Sequence, residues 1–214
     1  LYLDAKSVNG TTLGEEIKNS AKWTQNIITN KSNPVFNAGS IAVLKGTLAP
    51  NSAIIKQSAA TESLLIHEGR AVVFEGLEDL ANRIDRDDLD VSKDDVLVLK
   101  SIGPKGGPGM PEAGLIPIPK KLAKQGVKDM VRISDGRMSG TASGTVILHV
   151  TPESYENGPL AIVENGDLIK LDVPKRKIDL IGPLPADTVF LEKNLKKFDV
   201  VVGMYHLSLI HISE

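Results

Sequence analysis

The chain has 214 residues, with 25 Lys plus Arg against 27 Asp plus Glu, 4 His and no cysteine. That length holds one full domain and an appendage, and 41% hydrophobic with 24% charged residues is the make-up of a folded chain, not a disordered one. A net charge of −2 and 4% aromatics provide neither a basic footprint for nucleic acid or membrane nor a stacking platform, and zero cysteines remove disulfides, thiolate zinc sites, cysteine nucleophiles and cysteine-held iron–sulfur clusters.

The chain opens at Leu1 without a basic and then apolar leader, and no apolar run approaches the ~20 residues of a membrane span. The expectation is a cytoplasmic piece of something longer. The sequons at Asn9 and Asn30 carry no weight without a secretory leader. Thr12 followed by Glu15 fits a capping box and predicts a helix to about Ala21. Residues 24–39 then hold four Asn, Pro34 and Gly39 with little periodicity, which reads as a linker and a domain boundary.

From Ser40 onward the pattern is β-rich. Short apolar runs at 41–44, 53–56, 71–74 and 96–99 predict strands buried on both faces. Between the last two, Leu77, Leu80, Ala81 and Ile84 repeat at i, i+3, i+4 and i+7, an amphipathic helix. The Asp-rich stretch at 85–90 lacks the spacing of a calcium loop and reads as solvated. A further helix is expected from Pro119 to Gln125, stopped by Gly126, with Lys120, Lys121 and Lys124 on its wet face. Strands follow at 130–133 and 145–150, with His149 read as a core or supporting histidine and not a metal ligand. Residues 160–163 and 168–171 read as a hairpin turned at Asn165-Gly166, and 176–180 adds another strand. Roughly eight short strands and three helices predict an α+β chain whose β-barrel carries its helices outside.

Chemistry is expected in two glycine-rich loops. Residues 103–112, G-P-K-G-G-P-G-M-P-E, are neither a Walker loop nor a dinucleotide fingerprint. Two readings stay open: a plain structural loop, or one that brings backbone close to a ligand and fixes Glu112. Residues 134–144, S-D-G-R-M-S-G-T-A-S-G, lack the nucleophile elbow around Ser139, yet glycines, hydroxyls and Arg137 are dense for a mere connection. A polar turn and a site both remain open there.

These two stretches resemble the C-terminal domain of the dihydroxy-acid and sugar-acid dehydratases, the second continuing as T-V-I-L-H-V-T-P-E to Glu153. G-S-I-A-V-L-K-G-T-L-A-P at 39–50 and G-R-A-V-V-F-E at 69–75 resemble two more motifs of that family, in the family's order. The resemblance runs from about Gly10 to Leu180. It implies a swivelling β/β/α-like barrel domain: the end of an N-terminal domain and linker over 1–34, the barrel over 35–188, and a truncated or aberrant tail over 189–214. It implies loss of water from a 2,3-dihydroxy acid, with an iron–sulfur cluster and Mg2+ as cofactors.

Residue by residue, Glu112 matches the magnesium-binding carboxylate and Ser139 the serine base. Arg137 and Thr141 are the implied substrate neighbours. The cluster ligands and the other magnesium ligands belong to an N-terminal domain missing here. R-M-S-G-T-A at 137–142 resembles the arabinonate and xylonate branch more than the branched-chain amino-acid enzyme. The expected partners are a small sugar acid, the missing domain and further copies in a homo-oligomer, with no nucleic acid or membrane. These residues alone are expected to fold without catalysis, and His206 and His211 in the unfamiliar tail receive no role. The competing readings are a branched-chain dihydroxy-acid dehydratase, a non-catalytic β-barrel binding or assembly module, and a serine hydrolase using Ser139.

Overall fold

In the computed structural model, residues 1–21, 27–140 and 142–181 are described. The chain divides into two compact units, Leu1–Ala38 and a second beginning at Gly39. In the first, helix α1 (Leu13–Asn19) starts as its sequence predicts. The Glu15 N–H donates to Thr12 Oγ1 at 3.3 Å, and the Thr12 N–H donates to Glu15 Oε2 at 2.8 Å, satisfying two end donors reciprocally. Part of the expected linker, 24–26, lies outside the described residues.

The second unit contains β1 (Ala42–Leu44), β2 (Ser52–Ile55), β3 (Ile66–Phe74), α2 (Leu77–Arg83), β4 (Val96–Leu99), α3 (Lys120–Lys124), β5 (Arg132–Ser134), β6 (Val146–Thr151), β7 (Leu168–Asp172) and β8 (Lys177–Ile181). They form one eight-stranded mixed sheet in the order β1-β2-β6-β5-β4-β3-β7-β8. Its two ends meet just past β1. The Lys45 N–H donates to Arg176 O at 3.0 Å, and the Ile178 N–H donates to Lys45 O at 3.2 Å. The expected α+β barrel is thus present and nearly closed. Closure demands glycine at position 46, because a Cβ there would lie 1.9 Å from Ile178 O.

Four strands of the barrel, β3 to β6, run parallel. Inside, Leu44, Ile55, Val98, Ile133, Ile147, Ile169 and Ile178 pack as a core. Outside, Phe74, Leu97 and Leu99 pack with Leu80, Ile84 and Leu122 from the helical segments. Strand β4 is therefore buried along its whole length, which explains its unbroken Val-Leu-Val-Leu run. Each fully buried aliphatic side chain contributes ~1.5–3 kcal/mol relative to exposure, so burial on both faces makes this half of the barrel its firmest part.

Two strand expectations need correction. Residues 160–163 are not half of a hairpin: a 3-10 helix spans Pro159–Ile162. Leu160 and Val163 are both fully buried three residues apart, the spacing of a 3-10 turn and not of a strand. Strand β7 pairs instead with β3 and β8, and Asn165-Gly166 serves β3, with Asn165 Oδ1 accepting from the Val73 N–H at 2.7 Å. Strand β3 is also longer than its apolar core at 71–74 suggests. Its first half, Ile66 to Arg70, pairs with β7, and its second half pairs with β4.

Candidate functional site

Both glycine-rich loops leave the carboxyl ends of neighbouring parallel strands, the first after β4 and the second after β5. The end of β6 lies beside them in the same direction. Open parallel sheets commonly gather ligands at such ends, because loops from several strands converge there.

Buried carboxylates shape the first loop. Asp135 is 1% exposed and accepts from the Ile102 N–H at 3.0 Å, the Ser101 N–H at 3.3 Å and the Ser154 N–H at 2.9 Å, as well as from the Ser154 hydroxyl. Glu153, also buried, accepts from the Lys105 and Gly106 N–H groups at 3.0 and 3.1 Å. A Cβ at Gly103 would lie 2.6 Å from Glu153 Oε2, so glycine is what lets the loop close over that carboxylate. Lys100, buried at the end of β4, donates to Glu75 at 2.7 Å and to Ala161 O at 3.0 Å. Nothing in their residue types set Asp135 and Glu153 apart, although both lie within the family-like motif.

The far end of this loop meets the second loop through Glu112 and Arg137. The Arg137 guanidinium pairs with Glu112 Oε1, and its Nε–H donates to Met110 O at 2.8 Å. The Gly114 N–H donates back to Arg137 O at 2.8 Å. Both charged side chains remain partly open to solvent, 38% for Arg137 and 51% for Glu112. Two of the residues singled out by sequence thus touch each other across 25 residues of chain. Ser139 follows two residues later, in a turn closed by the Ala142 N–H donating to Ser139 O at 3.1 Å. Thr141 lies outside the described residues, as do His206 and His211.

From there the loop returns to the start of β6. Its exit is held by Asp129, whose carboxylate accepts from the Thr145 N–H, the Thr145 hydroxyl at 2.8 Å and the Thr61 hydroxyl at 2.7 Å, and pairs with Arg132 at 2.7 Å. Burial pushes the Asp129 carboxyl up, but the Thr61 and Thr145 hydrogen bonds with the Arg132 charge outweigh it, leaving the group below the ordinary aspartate value. Arg132 feels burial more strongly than the opposing pull of Asp129, which lowers its value, yet a guanidinium stays charged at physiological pH. His149 sits half-buried at a bulge in β6 with φ 52°, where the register against β2 shifts. Its N–H, released from the strand ladder, donates to Gly136 O at 3.2 Å. The histidine position therefore supports the second loop through its backbone.

The family profile described as dihydroxy-acid/6-phosphogluconate dehydratase C-terminal matches residues 26–194. The chain belongs to this family. It is 49% identical to an L-arabinonate dehydratase of Rhizobium leguminosarum over 180 residues, covering 84% of this chain and 31% of that protein. It is 44% identical to a 6-deoxy-6-sulfo-D-gluconate dehydratase of Pseudomonas putida, covering 81% and 30% respectively. To a dihydroxy-acid dehydratase of Carboxydothermus hydrogenoformans it is 43% identical, covering 83% and 32%. The chain spans about a third of the length of these relatives.

The donor set limits what this chain can hold. Among the described residues no three acidic, histidine or cysteine side chains gather as a metal cage. Glu112 keeps Oε1 on Arg137, leaving Oε2 for a second partner. Such a carboxylate suits Mg2+, which takes oxygen ligands and usually combines one or two carboxylates with water and substrate oxygens. Without a cysteine the chain offers no thiolate to an iron–sulfur cluster. The cluster does not fit the residues present.

Proposed function

We propose that the chain is the C-terminal part of a sugar-acid dehydratase, which removes water from a 2,3-dihydroxy aldonic acid to give a 2-keto-3-deoxy acid. In this reading residues 1–34 end an N-terminal domain and linker, 35–188 are the catalytic barrel domain and 189–214 a tail. The observation that carries it is the Glu112–Arg137 pair, which joins two loops from adjacent parallel strand ends with Ser139 two residues away. The greater identity to the arabinonate enzyme than to the dihydroxy-acid enzyme supports the sugar-acid branch.

The reaction takes the proton from the carbon beside the carboxylate and breaks the C3–O bond, releasing water and an enol that tautomerises to the keto acid. Ser139 is the group that accepts the proton, as an alkoxide. A serine hydroxyl is too weak a base unless cationic charge stands near it. Arg137 and Thr141 are the proposed substrate-binding residues. Glu112 would hold a magnesium ion, which when bound would supply positive charge to offset the enolate. Iron–sulfur ligands come from outside this chain, so alone it binds no cluster and turns over nothing. The proposed setting is a cytoplasmic homo-oligomer. The test is a side-by-side assay of arabinonate, xylonate and dihydroxyisovalerate with the longer enzyme. Faster keto-acid release from the aldonic acids supports the reading, and turnover of dihydroxyisovalerate alone overturns it in favour of the branched-chain enzyme.

A further inference from the structure

The segment leaving β2 lies along the Ser139 loop and meets it at three points. Lys56 Nζ donates to Gly140 O at 3.0 Å. Ala59 O accepts from the Gly144 N–H at 2.9 Å, and the Thr61 N–H donates to Thr145 Oγ1 at 3.1 Å. The last two fasten the exit of the loop. The first reaches the turn that carries Ser139, from 84 residues away.

Gly140 has no side chain to wedge against its surroundings, and a Cβ there would meet nothing within 4 Å. Glycine is also the residue with the most backbone freedom to lose on becoming ordered. An ammonium on the Gly140 carbonyl restrains the residue that follows Ser139, and hydrogen bonds to charged groups are the stronger kind. Lys56 is half-buried and forms no ion pair among the described residues. About the loop, Arg137 pairs with Glu112, and Arg132 with Asp129.

We infer that Lys56 is a positioning residue for Ser139, holding the carbonyl of the next residue, Gly140, and so fixing the turn that carries the base. The inference rests on the reading of Ser139 as the proton acceptor. A group displaced by about 1 Å from its productive position can lose ~100-fold in rate, which sets the scale of the effect.

The experiment compares K56M and K56R with the parent in the longer dehydratase, and in parallel follows amide exchange of Ala142 in this 214-residue chain. K56M is expected to lower kcat ~10–100-fold with KM changed less than about twofold, and K56R to recover most of the loss. The Ala142 amide should exchange faster in K56M and near the parent rate in K56R. Unchanged kcat in K56M, a loss confined to KM, or an arginine variant as impaired as the methionine variant each overturns the inference. Unchanged Ala142 exchange in K56M overturns it as well. A parent enzyme that dehydrates nothing overturns the reading of Ser139, whereas the exchange arm still reports whether Lys56 holds the turn.

Discussion

Removing the Asp135 carboxylate should cost more than an ordinary polar substitution, because three backbone N–H groups and one hydroxyl depend on it. In Asp135→Ala the Ile102 and Ser154 amides lose their acceptor inside a side-chain site only 1% exposed, while the Ser101 amide keeps the Ser154 oxygen at 2.7 Å. A buried donor left without a partner costs ~1–3 kcal/mol. Two such donors, with some relief from entering water, give a loss of ~3–4 kcal/mol. At a urea slope of ~2 kcal/mol per molar, that is a midpoint lower by ~1.5–2 M. Asp135→Asn should recover little, since its amide nitrogen would face donors where an acceptor is needed. Urea unfolding followed by circular dichroism measures both variants. A loss below about 1 kcal/mol for the alanine variant would refute the claim that this carboxylate organises the loop.

Gly46→Ala should destabilise the barrel by more than ~3 kcal/mol, because the Cβ would stand 1.9 Å from the Ile178 carbonyl at the closure point. Thermal melts would show a drop of several degrees, and an unchanged midpoint would contradict the close approach. Asp129 carries a pH signature. Its folded-state value lies below the ordinary one, so its contribution is present above about pH 4 and is lost as pH falls through the depressed value. Urea midpoints between pH 6 and pH 3 should therefore fall more gently in Asp129→Asn than in the parent, and parallel slopes would count against this linkage.

Local signals were the legible part of the fold. The capping box at Thr12, the period of Leu77 to Ile84, the stop at Gly126 and the doubly buried run of β4 are all set by near neighbours in the chain. Residues 160–163 deceived because a short apolar run has no period of its own, and its Leu160–Val163 spacing is visible only once burial is known. Ile66 to Arg70 of β3 passed unnoticed because His67, Glu68 and Arg70 interrupt the apolar pattern, and pairing with β7 decides the matter. At the site, Glu112, Arg137 and Ser139 stood out through their glycine-rich surroundings. Lys56, Asp135 and Glu153 did not, since their partners are backbone groups 84, 33 and 48 residues away. Tertiary structure alone creates such contacts.

As proposed, this chain supplies one magnesium ligand, Glu112, and the base, Ser139, to an active site completed by residues outside it. The most direct test is keto-acid formation from an aldonic acid by the longer enzyme carrying Glu112→Gln or Ser139→Ala, with folding checked by circular dichroism. Both variants should fold, with turnover lower by at least ~1000-fold, the scale of losing a principal catalytic group. Near-parent turnover in either variant would contradict the proposal.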